Sequence, residues 1–259
     1  MQTIVLATQK GGSGKSTLAI GLAVAARNAG HNVRLIETDP QGTLSNWQSR
    51  RGVAEPMVET IYNVGRIESR LEQLSRGGVT LTIIDTASGV SAITAAAIRC
   101  ADLCLIPTRP SVTDIEASAA TLKAVRAWRK PFAYVLNQTP VRGRRIDTAA
   151  QALGGEDGRA MSEMIARPFI SMRNDHQDAL ASGLAVSEYA PTGKSAEEIS
   201  QLWRWTEARL GGDVPSHEIF SLASGPGRLQ SGAAQVVETA AAQPLTPGAD
   251  GLTPWDACL

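Results

Sequence analysis

Three cysteines in 259 residues are too few, and too unevenly spaced, to organise a fold. Cys100 and Cys104 share the apolar run ADLCLIP, and Cys258 stands next to the last residue. That layout excludes a disulfide framework and a cysteine metal site, and leaves buried, reduced thiols as the expectation. Net charge is also missing, since 25 Lys and Arg balance 25 Asp and Glu. No whole-molecule field draws the chain to nucleic acid or membrane, so any such attraction must be local. No apolar run approaches the roughly 20 residues that cross a bilayer. The opening MQTIVLA lacks the basic region and cleavage site of an export signal. These absences point to a soluble, cytoplasmic chain, long enough to bury a substantial core.

What is present is an alternation. Four apolar runs rich in β-branched residues, TIVLAT (3–8), NVRLIET (32–38), VTLTIIDT (79–86) and DLCLIPT (102–108), read as buried strands, and FAYVLNQ (132–138) as a fifth. Helical segments are expected at 16–29, 67–74, 91–100 and 114–128, with a further helix at 195–210 lying on the sheet edge. Alternating strands and helices predict an α/β fold, a mostly parallel twisted sheet with helices on both faces and function at the carboxyl ends of its strands. Residues 1–210 form one expected domain. From 211 to 259 Ala, Gly, Pro, Ser and Gln dominate, too little apolar surface to offset ordering entropy, and a flexible tail is expected there.

The densest chemistry lies in TQKGGSGKST (8–17), between the first strand and the first helix. Gly11, Gly12, Ser13, Gly14, Lys15, Ser16 and Thr17 form a loop whose backbone N–H groups, with the helix dipole behind them, suit a phosphate. Lys15 can reach the β- and γ-phosphates and the Ser16 hydroxyl can hold Mg²⁺. Gln9 stands where the usual loop has its first glycine, and Lys10 is an additional lysine. Asp85, at the end of LTIID, is placed as a Walker B carboxylate near that metal, although an Asp before a turn can also be a simple cap. Asp39 in ETDPQG could orient an attacking water, and Glu37, on the same strand face, could support the metal's water shell.

In order along the chain, KGGSGKST, ETDPQGTLSNW, IIDTASG, ADLCLIPTRPSVTDIEAS and VLNQ resemble the ParA/MinD ATPases with a deviant Walker A motif, and most nearly the small, ParF-like partition ATPases. The resemblance covers about residues 1 to 210. It implies that Lys10 crosses an ATP-sandwich homodimer to the partner's phosphates while Lys15 acts within its own subunit. It further implies that Ser16 and Asp85 serve Mg²⁺, that Asp39 positions the hydrolytic water, and that Asn137 recognises adenine. The departures are Glu37 where the family usually has Asp, and Ala87 and Ser88 where Pro-Pro is frequent. Two triphosphates brought face to face would repel, and a lysine from each subunit offsets that repulsion, which would make pairing depend on ATP.

Between 121 and 146 the bases Lys123, Arg126, Arg129, Lys130, Arg142, Arg144 and Arg145 occur with no acid among them. Such a run suits sequence-independent, salt-sensitive DNA binding, or is merely a solvated face. Arg167, Arg173, Lys194 and Arg204 are further candidates. Together these expectations describe a nucleoid-associated ATPase that partitions plasmid or chromosomal DNA, stimulated by a ParB-like partner. The alternative is an ATPase that positions a protein cargo, such as a chemosensory cluster or carboxysome, through an adaptor. A membrane-cycling MinD-like regulator is disfavoured, because the final segment has neither the bases nor the periodicity of an amphipathic membrane helix. An iron-protein relative is disfavoured by the placement of Cys100 and Cys104 in and beside a buried strand.

Overall fold

The computed structural model describes residues 1–154 and 164–211. The expected tail lies outside the described residues from 212 onward, as does Cys258. Six strands are all parallel: β1 (Gln2–Leu6), β2 (Val33–Glu37), β3 (Met57–Thr60), β4 (Leu81–Asp85), β5 (Leu103–Thr108) and β6 (Phe132–Leu136). Their order across the sheet is β3-β2-β4-β1-β5-β6. β1 is central, and the chain leaves it first toward β2 and β3, then returns through β4 and crosses to β5 and β6. Its carboxyl end therefore faces the point where the direction of winding reverses, the crevice in which open α/β sheets bind ligands.

The nine described helices are α1 (Lys15–Asn28), α2 (Thr43–Arg50), α3 (Ile67–Arg76), α4 (Ala92–Cys100), α5 (Val112–Ala127), α6 (Arg145–Gly154), α7 (Asp175–Ala181), α8 (Val186–Tyr189) and α9 (Lys194–Leu210). A period of two along the strands divides the core. Ile4, Leu6, Leu35 and Ile83 pack with Leu18, Leu22, Trp47, Ile199 and Trp203 of α1, α2 and α9. Val5, Ile36, Ile84 and Ile106 pack with Leu71, Ala97, Val125 and Leu153 of α3, α4, α5 and α6. Burial on both faces explains why these strands read as continuous apolar runs.

The sequence expectation lacks β3, α2, α6, α7 and α8, and it places the last helix elsewhere. β3 is an additional edge strand, paired only with β2, and its two ends are exposed. The last helix does not lie on the sheet edge: α9 packs across α1, over the sheet face, where Ile199 sits against Gly21. A Cβ at Gly21 would stand 3.2 Å from an Ile199 methyl group, so the missing side chain is what brings the two helices together. Cys104 is buried in β5, and burial pushes its thiol up to about 12, which leaves it protonated and unreactive.

Candidate functional site

The loop between β1 and α1 is shaped by two glycines with positive φ, Gly12 (73°) and Gly14 (89°). Gly14 is also a point of close approach, because a Cβ there would lie 2.2 Å from the Asn137 side-chain nitrogen. That nitrogen donates to the Ser13 carbonyl at 2.7 Å, and Gln138 Nε2 donates to the Gly12 carbonyl at 2.8 Å. Two side chains from the end of β6 thus hold the outward-turned carbonyls of the loop. With those carbonyls occupied, the N–H groups are free to converge on an anion at the start of α1, reinforced by the helix dipole.

Lys15 opens α1 and is buried. Burial lowers its pKa, opposed by the nearby carboxylates of Asp85 and Asp39. Its ammonium donates to Ser88 Oγ at 3.4 Å. Ser16 Oγ donates to Asp85 Oδ2 at 2.6 Å, bringing the two expected metal residues together between the start of α1 and the end of β4. Asp85 is fully buried, and burial raises its pKa to about 7 despite the Ser16 hydrogen bond and the Lys15 charge. Its other oxygen, Oδ1, is buried without a hydrogen-bond partner. A hydroxyl and an orphaned carboxylate oxygen fit a hard divalent cation. Among the described residues no group of three His, Cys, Asp or Glu is arranged around a metal, so such an ion would draw its remaining ligands from phosphate and water, as Mg²⁺ does.

Asp39 is half-buried in the turn after β2, where its Oδ1 accepts the Gln41 N–H at 3.0 Å. Its charge acts on both Lys15 and Asp85, so it belongs to the same cluster. Glu37 is different. Its two oxygens accept the Leu44 N–H at 2.6 Å and the Ser45 N–H at 3.2 Å, at the start of α2, and the Ser45 hydroxyl as well. Lys10 leans away from the loop and donates to Thr113 Oγ1 at 3.3 Å, in the first turn of α5. Thr17 follows Ser16, half-buried in α1.

Beside Thr113 lies a group not singled out in the sequence. Asp114 is buried, receives the Arg109 guanidinium at 2.9 Å and the Ser111 hydroxyl, and is held below the usual carboxylate range against the opposing effect of burial. Ser111 caps α5 through the Asp114 N–H, the S-x-x-D arrangement that marks a helix start and could have revealed both residues. Gln138, adjacent to Asn137, carried no comparable signal.

The basic run does not form one patch. Lys123, Arg126 and Arg129 are exposed near the C-terminal end of α5, on the side where β6 begins. Arg142 and Arg144 are exposed beyond the other end of β6. Trp128, 46% exposed, joins the first group and is covered in part by Arg99, 5.8 Å from its ring. Arg173 and Lys194 are engaged by Glu198 and Glu197, each at 2.8 Å, and Arg167 lies over the Phe169 ring.

A glycine loop joining the central parallel strand to the first helix, with Lys15 inside it and a Ser16–Asp85 pair beneath it, defines a P-loop nucleotide-binding protein. The chain belongs to the CobQ/CobB/MinD/ParA nucleotide binding domain family, whose model matches residues 4–216, and is thus a ParA/MinD-family ATPase. It is 28% identical over 211 residues to "Maintenance of carboxysome distribution protein A" of Halothiobacillus neapolitanus, covering 77% of this chain and 94% of that protein. It is 26% identical to "Chromosome-partitioning ATPase Soj" of Thermus thermophilus, covering 81% of this chain and 97% of that one. Among solved structures, MinD of Pyrococcus horikoshii with Mg-ADP superimposes with a TM-score of 0.63 at 15% identity, over 82% of this chain and 98% of MinD. At that identity the likeness concerns the fold alone. No described helix is long and apolar enough to cross a membrane.

Proposed function

We propose that this chain is an Mg²⁺-dependent ATPase that positions a large protein cargo. The observation that carries the reading is its match to the carboxysome distribution proteins of Halothiobacillus neapolitanus and Gloeobacter kilaueensis, along 94% and 95% of their lengths. This favours the cargo-positioning alternative over plasmid partition. The near full-length match to Soj supports chromosome segregation as a second reading.

In the proposed cycle Lys15 and the loop N–H groups bind the triphosphate, and Ser16 and Asp85 would hold Mg²⁺, whose positive charge would offset the negative charge of the phosphates when bound. Asp39 orients the attacking water. Asn137 contributes by holding the loop and, on the resemblance, by contacting adenine. Lys10 leaves Thr113 to meet the phosphates of a second subunit, so a homodimer forms only with ATP. The ATP-bound dimer holds nonspecific DNA through exposed bases, and an adaptor protein bound to the cargo stimulates hydrolysis and release. A nucleoid location follows from DNA binding.

The test has two arms. The purified chain should hydrolyse ATP only with Mg²⁺ and be retained on DNA, not on liposomes, with ATP present; no turnover, or retention on liposomes alone, overturns the reading. Deletion in the source cell should cluster or misplace a protein cargo while chromosomes and plasmids are inherited normally. Loss of DNA inheritance instead would establish the second reading.

A further inference from the structure

Glu37 closes the base of the turn that carries Asp39, and its position assigns it work apart from the metal. The carboxylate is fully buried at the end of β2. Its backbone is fixed on both sides: Glu37 is paired with Asp85 of β4, and its carbonyl accepts the Ile61 N–H at 2.9 Å. The next residue, Thr38, gives both its N–H and its hydroxyl to the Asp85 carbonyl, at 3.0 and 3.1 Å. Beyond Thr38 the chain turns back at once, with Gly42 at φ 69° donating its N–H to the Asp39 carbonyl.

The far end of this turn is the start of α2, and here the helix lacks what it needs. Its N-cap is Gly42, which has no side chain to satisfy the first free amides. The Leu44 and Ser45 N–H groups are instead taken by the Glu37 carboxylate, an anion at the positive end of a helix. One residue thereby ties the strand to the helix across the five intervening positions. Asp39 and Gln41 lie inside that closed loop.

We infer that Glu37 is a positioning residue: by capping α2 from β2 it holds the Asp39 carboxylate at the angle from which Asp39 acts on water. Both of its oxygens are engaged in this task, so it stands in the wall of the site and not in the water shell of a metal. The length of the side chain matters, because Asp would be one methylene too short to span strand and helix. The consequence for hydrolysis rests on the role proposed above for Asp39; the ordering of the turn does not.

The experiment compares Glu37→Gln and the milder Ser45→Ala with the full chain, by amide hydrogen exchange and by steady-state ATPase assays over a magnesium series. Exchange of residues 38–46 should accelerate by about tenfold or more in Glu37→Gln, less in Ser45→Ala, with α1 and β4 unchanged. kcat should fall by at least about tenfold, while KM for ATP and the magnesium midpoint stay within about twofold. A shifted magnesium midpoint with unaltered exchange overturns the inference and returns Glu37 to the metal. Accelerated exchange with wild-type kcat overturns it also. If the unmodified chain has no ATPase activity, the functional reading falls, and the exchange arm alone decides whether Glu37 orders the turn. Should Glu37→Gln not fold, Ser45→Ala carries both readouts.

Discussion

Asn137 and Ser13 come from opposite halves of the domain, yet the Asn137 amide donates to the Ser13 carbonyl at 2.7 Å. The bond is buried, so removing the donor leaves a carbonyl unsatisfied and a phosphate loop free to move. A lost hydrogen bond of this kind costs about 1–3 kcal/mol. Asn137→Ala should therefore weaken nucleotide binding by about tenfold or more even for a triphosphate without a base, measured by calorimetry. An effect confined to base-bearing nucleotides would mean that Asn137 reads adenine and does not brace the loop.

Gly14 faces the same side chain from the other direction. Gly14→Ala must accept a left-handed φ of 89° and a contact of 2.2 Å with Asn137. We expect a loss of about 1–3 kcal/mol in urea unfolding and no measurable nucleotide binding. The double variant Gly14→Ala, Asn137→Ala should recover part of the stability, which a cycle of the four proteins would measure as a coupling.

The two lysines should separate cleanly. Lys15→Ala should abolish nucleotide binding, whereas Lys10→Ala should bind ATP as a monomer and fail to sediment as a dimer. An unchanged ATP-induced dimer in Lys10→Ala would remove the cross-subunit role.

Arg51 is buried against Glu188, with Nη1 and Nη2 bonded to its two oxygens at 2.7 and 2.6 Å, and its guanidinium lies 4.8 Å from the Trp47 ring. Arg51 is buried but Glu188 is partly exposed, so breaking the pair should cost less than the roughly 3–5 kcal/mol of a fully buried pair, and Arg51→Met should unfold at lower urea concentration. Burial would push the Glu188 carboxyl up, but Arg51 and the Ala185 N–H outweigh it and hold the group below its ordinary 4.5. A depressed carboxylate contributes stability that is fully present above pH 4.5 and is lost as pH falls through the folded value. Glu188→Gln should flatten that acid limb, and an unchanged acid limb would show the pair to be broken in solution.

The central ladder and the glycine loop were legible because their signals are local. TIVLAT and LTIIDT are apolar on both faces, and GGSGKST needs no distant partner to be recognised. β3 escaped notice because MVET is half polar: Met57 is 41% exposed, and Glu59 is held by Arg70 and Arg34. α2 was missed for a related reason, since its cap is supplied by Glu37 and not by a residue next to it. The basic run from Lys123 to Arg145 shows the opposite error. Closeness in sequence does not make one patch here, because β6 passes between the two groups and sends them to opposite ends of the sheet.

The contact between Gly21 and Ile199 sets a rule for change in this molecule. Adding a methyl group at position 21 alone would press on the Ile199 side chain, which must give by a few tenths of an ångström, and trimming Ile199 alone would leave a void. Only exchanges made at both positions together keep the volume constant, so this pair should drift through sequence space as one unit, and a designer who grafts α9 onto another core must carry the glycine with it.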